Sequence, residues 1–283
     1  WGRGASDMKG GLAAMIVAAQ AVAKSGQKLR GDLIVSATGG EEVNMLGARE
    51  LAKYPGLGPL QAVIISEPTS NSIALAERGV LWPEITTRGK TAHGSTPHLG
   101  KNAVQMMLAL IQELEKMEIP FEPHPTLGNF TRSLDIFRGG TQPNVIPDSC
   151  TAVYDYRTVP GQDHGQLIAQ IEEKIAALAQ TYPDFQASVK AVNDLPPAET
   201  LPDDPAVLQF QASASAAVGR QVEIVVMRFA TEACIFVPQL GVPCIVLGPG
   251  DPALAHQPNE FVEIEAMGEA ARMYARAALD MLC

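Results

Sequence analysis

Two short motifs near the start of the chain, Gly2-Arg3-Gly4-Ala5-Ser6-Asp7-Met8-Lys9-Gly10-Gly11 and Thr38-Gly39-Gly40-Glu41-Glu42, carry acids where a strand or loop hands over to a helix. Together they supply three carboxylates, Ser66-Glu67-Pro68-Thr69 adds a fourth, and Ala255-His256-Gln257-Pro258-Asn259-Glu260 offers an imidazole in a loop. Four carboxylates converging without cations would repel one another strongly, so such a cluster implies bound metal ions. Oxygen and imidazole ligands with no nearby Cys suit zinc first, and also cobalt or manganese, in a catalytic site. Taken singly, each residue has a plainer reading. Asp7 is an acid favoured at a helix start, Glu41 and Glu42 a solvated acidic first turn, Glu67 a turn residue before Pro68, and His256 a surface histidine. Taken as a set, they read as the site of a metallohydrolase.

Such a site needs elements that hold it. Residues 10–25 form an apolar, Ala-rich pattern closed by Gly26, which predicts a helix with a glycine C-cap. Residues 32–37 and 61–66 are continuous apolar runs that predict strands, and 46–53 predicts a short helix between them. Apolar strands alternating with helices indicate a parallel sheet covered on both faces, with ligands at the carboxyl ends of its strands. Glu41, Glu42 and Glu67 each follow such a strand. Beyond these, 80–88 predicts a strand whose Pro83 confines it to an edge or a bulge. A helix at 101–117, strands at 130–138 and 150–157, a helix at 163–180 and a strand at 185–192 follow it. That order, β-α-β-β-α-β, is the ferredoxin-like pattern. A Pro- and Asp-rich stretch, 194–205, reads as a linker, after which helices at 206–218, 231–238 and 263–281 alternate with strands at 222–226 and 244–247. The expected architecture is a three-layer α/β domain, residues 1–79 and 194–283, interrupted by an inserted domain at 80–193.

Composition narrows the partners. With 283 residues, 46% hydrophobic and 18% charged, the chain fits an ordinary soluble protein of one or two domains. Its formal net charge of −10 argues against nucleic acid, which calls for clustered Lys and Arg. The longest apolar run, 12–22, is too short to cross a bilayer. Cys150, Cys234, Cys244 and Cys283 are scattered with no C-x-x-C pair, which favours a reduced, cytoplasmic setting over a disulfide framework. The chain opens at Trp1 with no initiator Met, and the expectation is that a native N-terminal segment, with any targeting signal, precedes it.

Six motifs, taken in order, make a resemblance. The acidic motifs above, the segment Gly89-Lys90-Thr91-Ala92-His93-Gly94-Ser95-Thr96-Pro97, the segment 139–147 and the closing His256 motif together resemble the co-catalytic metallopeptidases. That family includes acetylornithine deacetylase, succinyl-diaminopimelate desuccinylase, aminoacylase and the glutamate carboxypeptidases. The resemblance implies two divalent metal ions bridged by Asp7, with Glu42 and His256 on one and Glu67 on the other. It implies Glu41 as the general base that takes a proton from the attacking water, and His93 as a lid histidine that reaches the partner subunit's site in a homodimer. It implies Asn144 and Arg157 as lid residues that hold substrate; a guanidinium can grip an α-carboxylate bidentately, although an Arg ending a strand can also be structural. Thr231, at a helix start, could add a substrate contact. His98, His124 and His164 read as surface residues. The expected substrates are N-acylated amino acids or short peptides with a free carboxylate.

The family's pattern also includes an upstream His-x-Asp whose His joins Glu67 on its metal, and the sequence from Trp1 onward contains none. The expectation is therefore a missing segment, with the first strands of the sheet, and a weaker metal at Glu67. Two other readings stay open: a dipeptidase or carboxypeptidase of the same family, and a non-catalytic protein that binds metal or amino acids.

Overall fold

Helix α1, Gly10–Lys24, buries a stripe of small residues, Gly10, Gly11, Ala14, Ala18 and Val22, at helical spacing, and turns Ile16 and Val17 outward. Small residues there let other backbone approach closely: a Cβ on Gly11 would stand 2.3 Å from the Ser66 carbonyl. After α1 come α2 (Glu41–Asn44), α3 (Leu46–Ala52), β1 (Val63–Ile65), β2 (Ile73–Ala74) and β3 (Ala76–Glu77). The chain then builds a second unit from β4 (Gly79–Arg88), α4 (Ala103–Glu115), β5 (Thr131–Gly139), β6 (Ser149–Thr158), α5 (His164–Thr181) and β7 (Ala187–Leu195). It closes with β8 (Ala198–Glu199), α6 (Pro205–Val218), β9 (Ile224–Val225), α7 (Ala233–Leu240), β10 (Cys244–Val246) and α8 (Ile264–Leu282). The computed structural model describes residues 1–227 and 229–283; one unit holds Trp1–Glu77 with Ala198–Cys283, the other Arg78–Pro197.

In the first unit a four-stranded sheet runs in the order β1-β10-β2-β9. Helices α1, α6 and α8 cover one face of it. Their core unites Ala14, Ala18, Val207, Phe210, Ala214, Met273 and Ala277 with Ile73, Ile245 and Leu247 of the sheet region. Each large apolar side chain buried there stabilises the unit by about 1.5–3 kcal/mol relative to exposure. Helix α7 packs on β10 and β8 as well as on α3, making a three-layer α/β arrangement. Two expectations need correction. The sheet is mixed, because β10 pairs antiparallel with β2 while β1–β10 and β2–β9 are parallel. Residues 32–37 form no strand: Leu33, Ile34 and Val35 remain 40–49% exposed, and an extended apolar run without a ladder partner is not a strand.

In the second unit the sheet order is β5-β6-β4-β7, every neighbouring pair antiparallel, as the β-α-β-β-α-β order requires. Helices α4 and α5 pack on one face, where Met107, Leu110, Leu114, Leu167 and Ile171 meet Leu81, Ile85, Tyr154 and Tyr156. Each helix starts on a side-chain cap: Asn102 accepts from Gln105 N at 3.2 Å and Asp163 from Gln166 N at 2.8 Å. Pro83 lies in central strand β4, at a register shift against β7 between Trp82 and Pro83, the bulge that a proline in a strand demands. His164, read as a surface residue, is instead buried, bonded to Thr158 Oγ1 at 2.8 Å and Asp194 Oδ1 at 2.7 Å. The stretch read as a linker contains the end of β7 and all of β8, which pairs with β3. Among the described residues, no helix is long and apolar enough to cross a membrane, and the four cysteines are free.

Candidate active site

Asp7 stands in a loop whose backbone is held by one buried acid. Glu260, 1% exposed, accepts from Gly4 N at 3.0 Å, Ser6 N at 2.8 Å and Asp7 N at 3.0 Å. Burial pushes the Glu260 carboxyl up, but these three donors outweigh it and leave the group below its usual range. Ser6 is buried against Gly250, where a Cβ would come within 2.4 Å of the Ser6 hydroxyl. The peptide between Asp7 and Met8 is cis.

Glu41 and Glu42 open the single turn α2, bracketed by left-handed residues at Gly40 (φ 79°) and Met45 (φ 55°). Gly40 suits such a backbone without cost, whereas Met45 tolerates it while buried at 2% exposure. Gly47 N donates to Gly39 O at 2.8 Å, and a Cβ on Gly47 would lie 2.5 Å from Gly39 N. The loop before the turn is thus folded directly onto the start of α3.

Glu67 follows β1 and is 4% exposed. Its neighbour Ser66 meets Tyr274 Oη at 2.5 Å, and that hydroxyl donates to the Leu247 carbonyl. A Cβ on Gly248 would lie 2.5 Å from the Glu67 carbonyl. His256, at φ 60°, points Nε2 to Glu42 at 2.8 Å and to Asp7 Oδ2 at 3.4 Å. One donor atom each from Asp7, Glu42 and His256 lies within 4.8 Å of the others.

The electrostatics of this cluster are unfavourable as it stands. Burial, with Asp7 and Glu42 adding repulsion, pushes the Glu41 carboxyl up to about 7. Asp7 and Glu67 hydrogen-bond to each other, and burial above all raises both. A divalent cation among these oxygens and the imidazole would relieve that repulsion, so the residues present fit a bound metal. Asp7, Glu42 and His256 offer three ligands around one position, and Glu67 is joined to them by its hydrogen bond to Asp7.

The remaining anticipated residues fall into two groups. In the second unit His93 pairs with Val145 in an isolated bridge and Gly94 N donates to Asn144 O at 2.7 Å, so the His93 and Asn144 segments lie side by side. Ser95 N donates to His93 Nδ1 at 3.2 Å, which leaves the proton of the neutral ring on Nε2, ready to donate. Arg157 is paired with Asp155, its Nη2 donating to Oδ2 at 2.9 Å. Thr231 requires a correction. It is fully buried, its N–H and hydroxyl both donate to Glu77, at 2.9 and 2.7 Å, and α7 begins two residues later, so it braces the protein interior rather than facing a ligand.

Residues 1–280 match the model of peptidase family M20/M25/M40. The chain belongs to that family. Among its relatives, an acetylornithine deacetylase of Myxococcus xanthus is 32% identical, over 98% of this chain and 71% of its own length. A probable succinyl-diaminopimelate desuccinylase of Staphylococcus epidermidis is 30% identical, over 93% and 70%. Among solved structures, the aminopeptidase PepT of Bacillus cereus superposes with a TM-score of 0.75 at 20% identity, over 96% of this chain and 70% of that one. A dinuclear metal-binding peptidase of Bacillus subtilis gives 0.70 at 19%, over 95% and 70%. These structural likenesses bear on the fold alone, an α/β unit interrupted in sequence by a second unit. The membership makes the chain a metal-dependent hydrolase of amides, as its motifs implied.

Sequence reasoning missed Glu260, Glu77 and Tyr274. Glu260 did close a motif already singled out; Glu77, after the apolar run 73–76, and Tyr274, on the apolar side of α8, carried no comparable signal.

Proposed function

We propose that this chain removes the acyl group from N-acylated amino acids, acting on substrates of the N-acetylornithine or N-succinyl-diaminopimelate kind. The observation that carries the reading is the meeting of Asp7, Glu42 and His256 at one point, with the Glu41 carboxyl desolvated beside them. Two divalent cations fit, zinc ahead of cobalt or manganese, one held by Asp7, Glu42 and His256 and the other by Asp7 and Glu67. When bound, they supply Lewis acidity and lower the pKa of water. Glu41 takes the proton from the attacking water and passes it to the leaving amine, the two halves of general acid–base catalysis by one carboxyl. His93, with Nε2–H free to donate, stabilises the developing oxyanion from the lid of a partner subunit. Asn144 and Arg157 bind the substrate's α-carboxylate, Arg157 sharing its guanidinium between Asp155 and the ligand. The inserted unit serves as lid and dimer contact, and the enzyme works in the cytoplasm.

The test is release of free amine by the zinc-loaded chain from N-acetylornithine, N-succinyl-diaminopimelate, other N-acetyl amino acids and dipeptides. Acyl substrates turned over only with metal present are the expected result. Turnover of dipeptides alone would make the chain a peptidase of the family, and bound metal with no amine released from any substrate would leave a binding protein.

A further inference from the structure

The turn that carries Glu41 and Glu42 is supported from behind by residues of another helix start. Thr38, three residues before Glu41, donates its hydroxyl to Glu232 Oε1. Glu232 directly precedes α7, and the start of that helix is fixed from below by Glu77. One oxygen of Glu77 accepts both the N–H of Thr231 at 2.9 Å and its hydroxyl at 2.7 Å, while Thr231 Oγ1 accepts from Ala233 N at 3.1 Å. The arrangement is expensive. Glu77 is 1% exposed, its other oxygen has no hydrogen-bond partner among the described residues, and burial pushes its carboxyl up to about 8. A buried carboxyl costs stability that an apolar residue at the end of β3 would spare. We propose that Glu77 is a positioning residue for the metal-binding turn: through Thr231 it seats the start of α7, so that Glu232 takes the Thr38 hydroxyl and holds Glu41 and Glu42 in place.

The inference rests on the metal roles given above to Glu42 and Glu41, but it adds residues that touch neither substrate nor metal. The geometry favours a relay over mere packing. Each link is a directed hydrogen bond, and the residue after Thr38 is held separately, Gly47 N donating to Gly39 O. Releasing Thr38 therefore leaves the loop before the turn with its Gly39 anchor alone, which loosens the placing of the two carboxylates rather than unfolding the loop. Residues that orient metal ligands from behind typically change metal affinity or activity by about 10–100-fold when removed.

The test uses the full chain and zinc alone, so it does not depend on the substrate assignment. Zinc affinity is measured by titration calorimetry for Glu77→Leu, Thr38→Val, the double variant and Glu77→Gln, each checked for an unchanged circular dichroism spectrum. Where an acyl substrate is turned over, kcat and KM are read on the zinc-saturated forms. Glu77→Leu and Thr38→Val should each weaken zinc by about 10-fold or more and lower kcat with KM little changed. The double variant should be no worse than the worse single, because both break one relay. Glu77→Gln keeps an acceptor for Thr231 without charge and should bind zinc as the parent does. Losses that multiply in the double variant, wild-type zinc affinity in folded Glu77→Leu, or a Glu77→Gln as impaired as the leucine would each overturn the relay. Normal zinc binding with no turnover by the parent chain would instead count against the proposed reaction and leave the relay standing.

Discussion

Glu41 and Glu42 are neighbours with different surroundings, and in the proposed reaction that difference separates a base from a ligand. Glu42 reaches His256 at 2.8 Å, whereas burial and nearby acids push Glu41 up to about 7. Glu41→Ala should therefore cut kcat by about 10²–10⁴-fold, the usual loss for a positioned base, while zinc content by atomic absorption stays that of the parent. Loss of metal in that variant would exchange the two roles. The raised carboxyls also predict how the metal-free chain responds to pH. Glu41 binds its proton more tightly folded than unfolded, so its contribution is fully present below the ordinary value of 4.5 and is lost as pH rises towards about 7. Asp7 and Glu67 are raised too and act in the same direction. Between those pH values the metal-free parent should lose melting temperature relative to Glu41→Gln, and zinc should restore it at neutral pH by binding the folded state. Parallel pH curves for the parent and Glu41→Gln would show that Glu41 titrates normally.

At the scale of elements, the site is a set of turns pressed together by acids and glycines. Glu260 collects three backbone donors from the Gly4–Asp7 loop, so Glu260→Ala should release that loop. The expected results are a lower melting temperature and zinc affinity reduced by about 10–100-fold; unchanged zinc affinity would mean that the loop holds Asp7 without its clamp. This level is also where the sequence was only partly legible. The residues that meet, Asp7, Glu42 and His256, were readable because several acids and a histidine stood in short motifs. The lid's strands and helices were readable from their periodicity and caps, as at Asp163. Glu77 and Glu260 were not, because a single acid has no period and their partners lie 154 and 256 residues away in sequence. Residues 32–37 misled for a related reason: an apolar run fixes a preference for extended backbone, whereas a strand also requires a neighbour, which the run itself does not specify. Thr231 misled by its place before a helix, since whether a hydroxyl faces solvent or a buried Glu77 is decided by packing.

For the molecule as a whole, the proposed chemistry divides its parts between two units of one chain, the acids and His256 in one and His93, Asn144 and Arg157 in the other. The second unit ends its sheet with β5, an edge strand that among the described residues pairs with β6 alone and whose side chains are largely exposed. Exposed edges of this kind are suited to pairing with a second copy about a two-fold axis, which makes a self-complementary contact. In the proposed homodimer, His93 of each subunit serves the acids of its partner. Two inactive variants should then complement each other. A dimer of one His93→Ala subunit and one Glu41→Ala subunit has one site with both defects and one site with neither. If subunits exchange at random from equal amounts, half of the dimers are mixed, so activity should recover to about a quarter of the parent's. The measurement needs verified exchange, for example by native mass spectrometry of differently tagged subunits, before turnover is read. Mixed dimers that form and remain inactive would place His93 in the service of its own chain or of none. A monomeric parent would remove the two-fold contact altogether and leave the lid to act within a single molecule.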